Sequence, residues 1–157
     1  MTSTQGTIRI RPAVAADEPR WRALWADFVA LDTEKCPGEA TDFIWRNALD
    51  AAHPMKLLMA ELAGGVAGFL LYTTHDFSRS VRPVCYLLDF YTAPEVRGRG
   101  LGRALIQHLS ETGRASGWLK IYWMTQADNA DARRLYDKFG TTSPLIRYDM
   151  HLNGYET

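Results

Sequence analysis

Three glycines at positions 98, 100 and 102 separate a strongly apolar run from an amphipathic helical pattern. The run over residues 84–92 predicts a β-strand, and the apolar spacing that begins at Leu101 predicts a helix. A glycine-rich loop between a strand and a helix can present unpaired backbone amides at the positive end of the helix dipole. This junction therefore predicts an α/β fold with an anion-binding site.

The spacing of the glycines limits which anion the loop can bind. A P-loop requires a Lys-Ser or Lys-Thr pair that is absent here, and a dinucleotide-binding fold places G-x-G-x-x-G in its first βαβ unit. Here the pattern is G-x-G-x-G and begins at residue 98, after predicted antiparallel strands. Arg97, Arg99 and Arg103 favour phosphate, because guanidinium groups match its geometry. A turn that uses glycine only for its flexibility is the alternative.

The other elements follow from hydrophobic periodicity. The predicted strands cover residues 7–11, 57–63, 66–73, 84–92, 118–125 and 145–152. Helices are predicted from Asp17 to about Leu31, over 42–52, from Leu101 onward and over 130–139. Gly64-Gly65 predicts a tight hairpin turn, and residues 74–82 a polar connection. The order predicts an α/β protein with a single mixed sheet flanked by helices, in one domain over residues 1–157.

Composition excludes several classes of protein. Lys plus Arg and Asp plus Glu both number 18 in 157 residues, so the net charge is zero and no general basic field attracts nucleic acid. Cys36 and Cys85 match no metal or redox spacing, and the histidines are scattered, so no metal is expected. The polar start of the chain and the lack of a long apolar run predict no membrane association and a cytoplasmic protein.

Two motifs in order resemble those of the GCN5-related N-acetyltransferase (GNAT) family. The first is Arg97, Gly100 and Gly102 after the strand-like residues 87–94, and the second is residues 121–126 followed by Asn129 and residues 132–136. The sequence of the second half most resembles a subgroup with histone-, polyamine- and amino-acid-acetylating members. That subgroup often has Glu-Asp in its central strand; here Leu88 replaces the Glu and Asp89 keeps the second acid.

The resemblance implies a mostly antiparallel sheet with a splayed central pair of parallel strands, and acetyl-CoA as cosubstrate without a metal. The pyrophosphate is expected at the loop, on Arg97, Gly98, Arg99, Gly100, Leu101, Gly102 and Arg103. The pantetheine arm is expected beside Phe90, Tyr91 and Thr92, which also offer a backbone N–H near Phe90 or Tyr91 for the oxyanion. Asn129 is expected either to bind pantetheine or to cap the following helix, or to do both.

The resemblance also implies direct attack of an amine on the thioester. Tyr136 is the expected general acid, since a phenol is protonated at neutral pH, with packing on the inward helix face as its alternative. Asp89 is the expected base for an amine that is mostly protonated at pH 7, with a structural ion pair to an arginine as its alternative.

The connection between the first two helices is acidic. Asp32, Glu34, Glu39 and Asp42 outnumber Lys35, and such a patch draws in a cationic amine. We expect Asp32, Glu34 and Asp89 at the acceptor site, and solvated or helix-starting roles for Glu39 and Asp42. Trp25 and Phe28 are expected in the core, with an aromatic wall formed with Tyr91 as their alternative.

The predicted function is transfer of an acetyl group to a primary amine of a small acceptor, such as a polyamine or an amino acid. Acetylation of a protein lysine or N-terminus, and a non-catalytic CoA-binding sensor, are the alternatives. The strand over residues 145–152 offers a sheet edge for a second subunit, so a homodimer is expected.

Overall fold

The computed structural model describes residues 6–152. The strands in this range are β1 (Ile8–Pro12), β2 (Lys56–Leu62), β3 (Gly65–Phe77), β4 (Ser80–Thr92) and β5 (Ile121–Tyr122). The helices are α1 (Glu18–Val29), α2 (Gly38–Leu49), α3 (Leu101–Ser116) and α4 (Ala130–Tyr136), with short 3₁₀ turns at Ala15–Asp17 and Pro94–Val96. The predicted domain also includes residues 1–5 and 153–157, which lie outside the described residues.

One five-stranded sheet follows chain order from β1 to β5. Strands β1 to β4 pair antiparallel, and β4 pairs with β5 in parallel. The parallel pairing has two rungs, Cys85 with Ile121 and Tyr86 with Tyr122, after which the two strands part. The mixed, mostly antiparallel sheet and the splayed parallel pair are therefore confirmed.

Each face of the sheet carries its own hydrophobic core. On one face, α1 and α2 cover a cluster in which Trp21 stacks on both Trp25 and Trp45 at centroid distances of 5.5 and 5.1 Å. On the other face, α3 buries Leu105 and Leu109 against β-strand side chains such as Leu70. We call these the α1/α2 face and the α3 face. Between residues 6 and 152, no helix is long and apolar enough to cross a membrane.

The prediction of a polar connection over residues 74–82 was wrong. β3 continues to Phe77 and β4 already begins at Ser80, so these residues form the end of a long hairpin. His75 pairs with Val84, and Phe77 pairs with Ser80 across the turn. Polar residues remain in strand conformation here because the neighbouring strand supplies their backbone hydrogen bonds, an effect that periodicity does not detect.

The prediction of a closing strand over residues 145–152 was also wrong. No strand forms there, and Leu145, Ile146, Tyr148, Met150 and Leu152 are all at least 75% exposed. The strand predicted over residues 118–125 shrinks to the two residues of β5. The two outcomes share a cause, because a strand needs a neighbouring edge to pair with and β5 ends at Tyr122.

Several helix boundaries differ from those predicted, and α2 and α4 end early, at Leu49 and Tyr136. The second helix begins at Gly38 rather than Asp42, and Asp42 instead forms an ion pair with Arg22 at 2.8 Å. Phe43, predicted as an apolar contact, is 48% exposed. The first helix ends at Val29, so Leu31 lies beyond it and is 72% exposed. Pro37 has an extended backbone conformation and immediately precedes α2, so the helix begins at Gly38.

A buried ion pair joins β1 to the start of α1. Both oxygens of Asp17 accept hydrogen bonds from the Arg11 guanidinium, at 2.7 and 2.8 Å, and Arg11 Nε donates to Glu61 at 2.7 Å. The backbone N–H of Val14 also donates to Asp17, at 2.8 Å. The Arg11 guanidinium holds the pKa of Asp17 below its ordinary value. This network connects the first strand, its neighbour β2 and the entry to α1.

Candidate active site

A cleft of about 1010 Å³ opens where β4 and β5 part. Its walls come from the end of α1, the end of β4, the glycine loop, the start of α3 and α4. The cleft unites residues that are more than 100 positions apart in sequence, among them Asp32, Gly100 and Tyr136. The topology therefore brings the two family-like motifs and one acidic residue of the first inter-helix connection into one site.

The glycine loop forms one end of this cleft. Gly98 and Gly100 have φ of +77° and +89°, a backbone region in which glycine avoids strain. Gly100 is the residue before α3, so the first amides of a 16-residue helix face the loop. Arg97 and Arg103 line the cleft, whereas Arg99 is exposed and lies outside its lining. Backbone amides and two guanidinium groups are donors of the kind that bind phosphate.

Gly102 is needed for close packing rather than for its backbone angles. A Cβ at this position would lie 2.8 Å from Phe90 Cζ and 3.2 Å from Leu135 Cδ2. The helix α3 therefore approaches β4 and α4 closely enough that no larger side chain fits without displacement. This contact sets the width of the cleft at the end of β4.

β4 presents backbone rather than side chains at the splay. Its pairing with β5 stops at Tyr86, so Phe90, Tyr91 and Thr92 are paired on the β3 side alone. The Tyr91 side chain is buried in the α1/α2 core beside Phe28, with the Arg97 guanidinium 5.6 Å from its ring centroid. Free backbone groups along one edge suit the amides of an extended arm.

Tyr136 lies at the end of α4 and lines the cleft. Its ring packs edge-on against Trp123 at a centroid distance of 5.5 Å. Burial raises the pKa of its hydroxyl, and no hydrogen bond to that hydroxyl is seen within residues 6–152. Tyr136 is thus both packed and available as a donor, so the two roles considered for it are compatible.

Asn129 is the N-cap of α4. Its Oδ1 accepts a hydrogen bond from Ala132 N at 3.3 Å, and its Nδ2 donates to Thr125 Oγ1 at 3.3 Å. The residue also lines the cleft. Capping of α4 is therefore observed, and the position in the cleft lining is compatible with the second expected role, binding of pantetheine.

Asp89 lies on β4 opposite Leu71, which places it on the α1/α2 face. Burial and the negative charge of Asp32 raise the pKa of Asp89 to about 6. The described residues provide no arginine partner, which argues against the structural ion pair considered as its alternative. Asp89 does not line the cleft itself, while Asp32 does.

The acidic residues of the inter-helix connection have different surroundings. Asp32 Oδ1 accepts a hydrogen bond from Glu34 N at 3.1 Å, which shapes the turn after α1. Glu34 lies outside the cleft lining, and its charge acts on Arg147. Glu39 is exposed on α2 and Asp42 pairs with Arg22. Of these four carboxylates, the cleft therefore includes Asp32.

Sequence reasoning missed several residues that line the cleft. These are Leu31, Thr33, Val96, Gln126, Asp131, Ala132, Leu135 and Lys138, whereas Phe28 had been considered as part of an aromatic wall. Leu31 lies just beyond the end of α1 and is 72% exposed. Most of the others lie next to predicted site residues, so proximity in sequence could have indicated them. Within residues 6–152, no group of three or more His, Cys, Asp or Glu side chains is arranged to hold a metal ion.

The fold and the cleft are of the kind expected of an acyl-CoA-dependent transferase. Comparisons with known proteins support this class. Residues 19–141 match the model of the acetyltransferase (GNAT) family. The D-amino-acid N-acetyltransferase HPA3 of Saccharomyces cerevisiae is 29% identical over 88% of this chain and 86% of its own. A mycothiol acetyltransferase of Nocardiopsis dassonvillei is 32% identical over 85% of this chain, which spans 42% of that protein.

Solved structures agree on the fold. An aminoglycoside N-acetyltransferase, AAC(6')-Iy, solved in complex with CoA, superposes with a TM-score of 0.78 at 21% identity, covering 97% of this chain and all of that one. The chain belongs to the GNAT family of acetyltransferases. It is an N-acetyltransferase enzyme, and members of this family transfer acyl groups from acetyl-CoA to amines.

Proposed function

We propose that this protein acetylates the primary amine of a small acceptor, a polyamine or an amino acid, at the cleft between β4 and α4. The observation that carries the proposal is the union of the glycine loop, Tyr136 and Asp32 in one cleft of about 1010 Å³. A phosphate-binding end, a proton donor and a carboxylate lie in it together. In this proposal, residues 1–157 form one acetyltransferase domain.

The residues present fit acetyl-CoA. The positive φ angles of Gly98 and Gly100 allow the loop to turn its amides toward the pyrophosphate, and Arg97 and Arg103 add charge. Lacking a Cβ, Gly102 keeps the groove beside Phe90 open. The free edge of β4 near Thr92 would hold the amides of the pantetheine arm, with Asn129 across from it. Acetyl-CoA supplies the activated acetyl thioester.

Two proton transfers are assigned to this chain. As the amine attacks the thioester carbonyl, Asp89 accepts the proton that the nitrogen loses, through a bridging water since the carboxylate lies outside the cleft lining. A backbone N–H near Phe90 or Tyr91 would stabilise the oxyanion. The C–S bond then breaks, and Tyr136 donates its proton to the departing thiolate.

The acceptor class rests on charge and on one relative. Asp32 in the cleft, with Asp89 nearby, favours an ammonium group before it is deprotonated. The name of the yeast relative specifies D-amino acids as its acceptors, which supports including amino acids here. A short, exposed acidic connection also admits a peptide, so a lysine peptide belongs in the test.

The test follows thiol release from acetyl-CoA with spermidine, free amino acids and a lysine peptide, against a control without acceptor. Turnover with a small amine well above control supports the proposal. A peptide that exceeds every small acceptor would instead favour a protein acetyltransferase. Tight acetyl-CoA binding with no turnover on any acceptor would contradict the proposal.

We also propose that the chain is a cytoplasmic homodimer. Five large apolar side chains stand exposed within residues 145–152, a pattern that favours pairing with a second copy. Met150→Glu should then shift the dimer to monomer in light scattering, while Val81→Glu, at an isolated and fully exposed valine, should not. A monomeric parent protein at micromolar concentration would overturn this. The free thiols of Cys36 and Cys85 suit a reducing compartment.

A further inference from the structure

The cleft has two walls of different character. The glycine loop, the start of α3 and α4 form one wall, along which the phosphates and the pantetheine arm are proposed to lie. The end of α1 and the turn after it form the other wall, with Phe28, Leu31, Asp32 and Thr33, which we call the α1 wall. Because acetyl-CoA occupies the first wall in the proposed function, the α1 wall is left for the acceptor.

The α1 wall stands beside the end of β4. The centroid of the Phe28 ring lies 5.9 Å from that of Tyr91, and Phe28 also meets Phe69 edge-on at a centroid distance of 5.8 Å. These contacts fix the last turn of α1 against the strand whose unpaired edge is proposed to hold the pantetheine arm. A group bound on the α1 wall therefore lies beside the proposed path of that arm.

Local hydrogen bonds give the α1 wall a defined backbone. Leu31 N donates to Phe28 O at 3.1 Å, and Asp32 N donates to Val29 O at 3.2 Å. Asp32 Oδ1 in turn accepts from Glu34 N at 3.1 Å. The turn thus presents an apolar side chain and a carboxylate from consecutive residues in the same cleft.

Leu31 presents a large apolar surface to solvent. It is 72% exposed, although the apolar stripe of the preceding helix is buried. A single exposed leucine is common on protein surfaces. This one, however, lines a cleft together with the half-buried ring of Phe28. An apolar group of a ligand that covers Leu31 would remove both surfaces from water, which is favourable.

The charges of the cleft favour an acceptor with a single ammonium group. Among residues 6–152, Asp32 is the one carboxylate on the α1 wall. The other carboxylate in the cleft lining, Asp131, lies on α4 and forms an ion pair with Arg134. A polyamine carries several positive charges at neutral pH, and its further ammonium groups would meet the apolar part of the α1 wall without a carboxylate partner.

We propose that the acceptor is a primary amine with a single ammonium group and an apolar substituent, which packs on Leu31 and Phe28 while the ammonium group binds Asp32. This assignment rests on the proposed function and deepens it, because amines and amino acids with apolar side chains are then acetylated in preference to polyamines. The acetyl group moves from sulfur to nitrogen by the proton transfers already described. Leu31 determines specificity, since it contacts the group by which these acceptors differ.

Two matched pairs of acceptors test this assignment. Pentylamine and 1,5-diaminopentane have the same carbon chain and differ in the second ammonium group. Leucine and asparagine, compared enantiomer by enantiomer, have side chains of similar size and opposite polarity. In each pair that the enzyme acetylates, thiol release from acetyl-CoA should give a kcat/KM about 10-fold higher for the apolar member.

Leu31→Gln should lower kcat/KM for the apolar member about 10-fold, mainly through KM, and leave its polar partner and the KM for acetyl-CoA almost unchanged. Leu31→Met keeps an apolar side chain of similar size and should retain the preference. The matched control is Val81→Gln, at a fully exposed valine near the start of β4 and outside the cleft lining. This control should leave the kcat/KM of both members unchanged.

The assignment is overturned if the polar member of either acetylated pair equals or exceeds the apolar one, or if Leu31→Gln and Val81→Gln give the same ratio. Turnover without the preference would overturn the assignment alone and leave the acetyltransferase function in place. Absence of thiol release with every acceptor, spermidine and the lysine peptide included, would overturn the proposed function and this assignment with it.

Discussion

The carboxylates of Asp32 and Asp89 come from separate elements, the turn after α1 and the strand β4, yet the charge of Asp32 acts directly on Asp89. Together with burial, it raises the pKa of Asp89 to about 6. A carboxylate with this pKa is ionised at neutral pH and remains basic enough to accept a proton. The residue expected to bind the acceptor, Asp32, thus acts electrostatically on the residue expected to be the base, Asp89.

We expect kcat/KM to fall as the pH drops through about 6, since Asp89 must be ionised to act as a base. Asp32→Asn removes one cause of the raised pKa, so the inflection should move to lower pH. The neighbouring exposed Glu39→Gln is the control and should leave the profile in place. An identical inflection in all three proteins would show that Asp89 is not the group being observed.

Asp89→Asn should make the protein more stable and less active. Folding raises the pKa of Asp89 from its ordinary value of 3.8 to about 6. The contribution of Asp89 to stability is therefore complete below about pH 4 and is lost as the pH rises through about 6. At neutral pH the buried charge destabilises the fold, and its removal should add about 1–3 kcal/mol to the free energy of unfolding. Urea unfolding at about pH 8 and pH 4 should show the gain at the higher pH alone.

Tyr136→Phe should lower kcat by on the order of 100-fold, with acetyl-CoA affinity almost unchanged. The ring packing against Trp123 is kept, and the hydroxyl of this cleft-lining residue is lost. Thiol release gives kcat, and titration calorimetry gives the acetyl-CoA dissociation constant. Unchanged turnover would remove Tyr136 from the mechanism, whereas a large loss of affinity would indicate a binding role.

Gly102→Ala should weaken acetyl-CoA binding roughly 10-fold while the fold is retained. The added methyl group meets Phe90 Cζ at 2.8 Å and must displace it into the groove or move α3. Gly38→Ala is the matched control, because a Cβ at the start of α2 meets nothing within 4 Å. Equal affinity in the two variants would show that this contact does not shape the groove.

Asp17→Asn should lower the free energy of unfolding by about 2 kcal/mol at neutral pH, because Arg11 loses its charged partner. The pKa of Asp17 is lowered in the folded chain. Its contribution is therefore present above the ordinary carboxylate pKa and disappears as the pH falls below it. The difference between parent and variant in thermal unfolding should narrow from about pH 6 to pH 3.

Local chemistry made the glycine-loop junction predictable from the sequence. A strand, the glycines of residues 98–102 and an amphipathic helix depend on backbone angles and on one apolar stripe, and both are properties of a short segment. The β2–β3 hairpin, the buried face of α3 and the presence of a mixed sheet were predictable for the same reason. So was the family, since its motifs are short and ordered. The turn of this hairpin is Ala63-Gly64 rather than Gly64-Gly65, because Gly65 already pairs with Leu62 as the first residue of β3.

Pairing and distance were decided by the tertiary structure. The residues of 145–152 alternate as a strand should, but β5 ends at Tyr122 and offers them no edge, so they stay exposed. Residues 74–82 were predicted as a polar connection, but the adjoining strand holds them in a hairpin. Likewise, Asp32 acts on Asp89 only because α1 packs beside β4. No local propensity encodes that arrangement, because it arises from contacts between segments far apart in the chain.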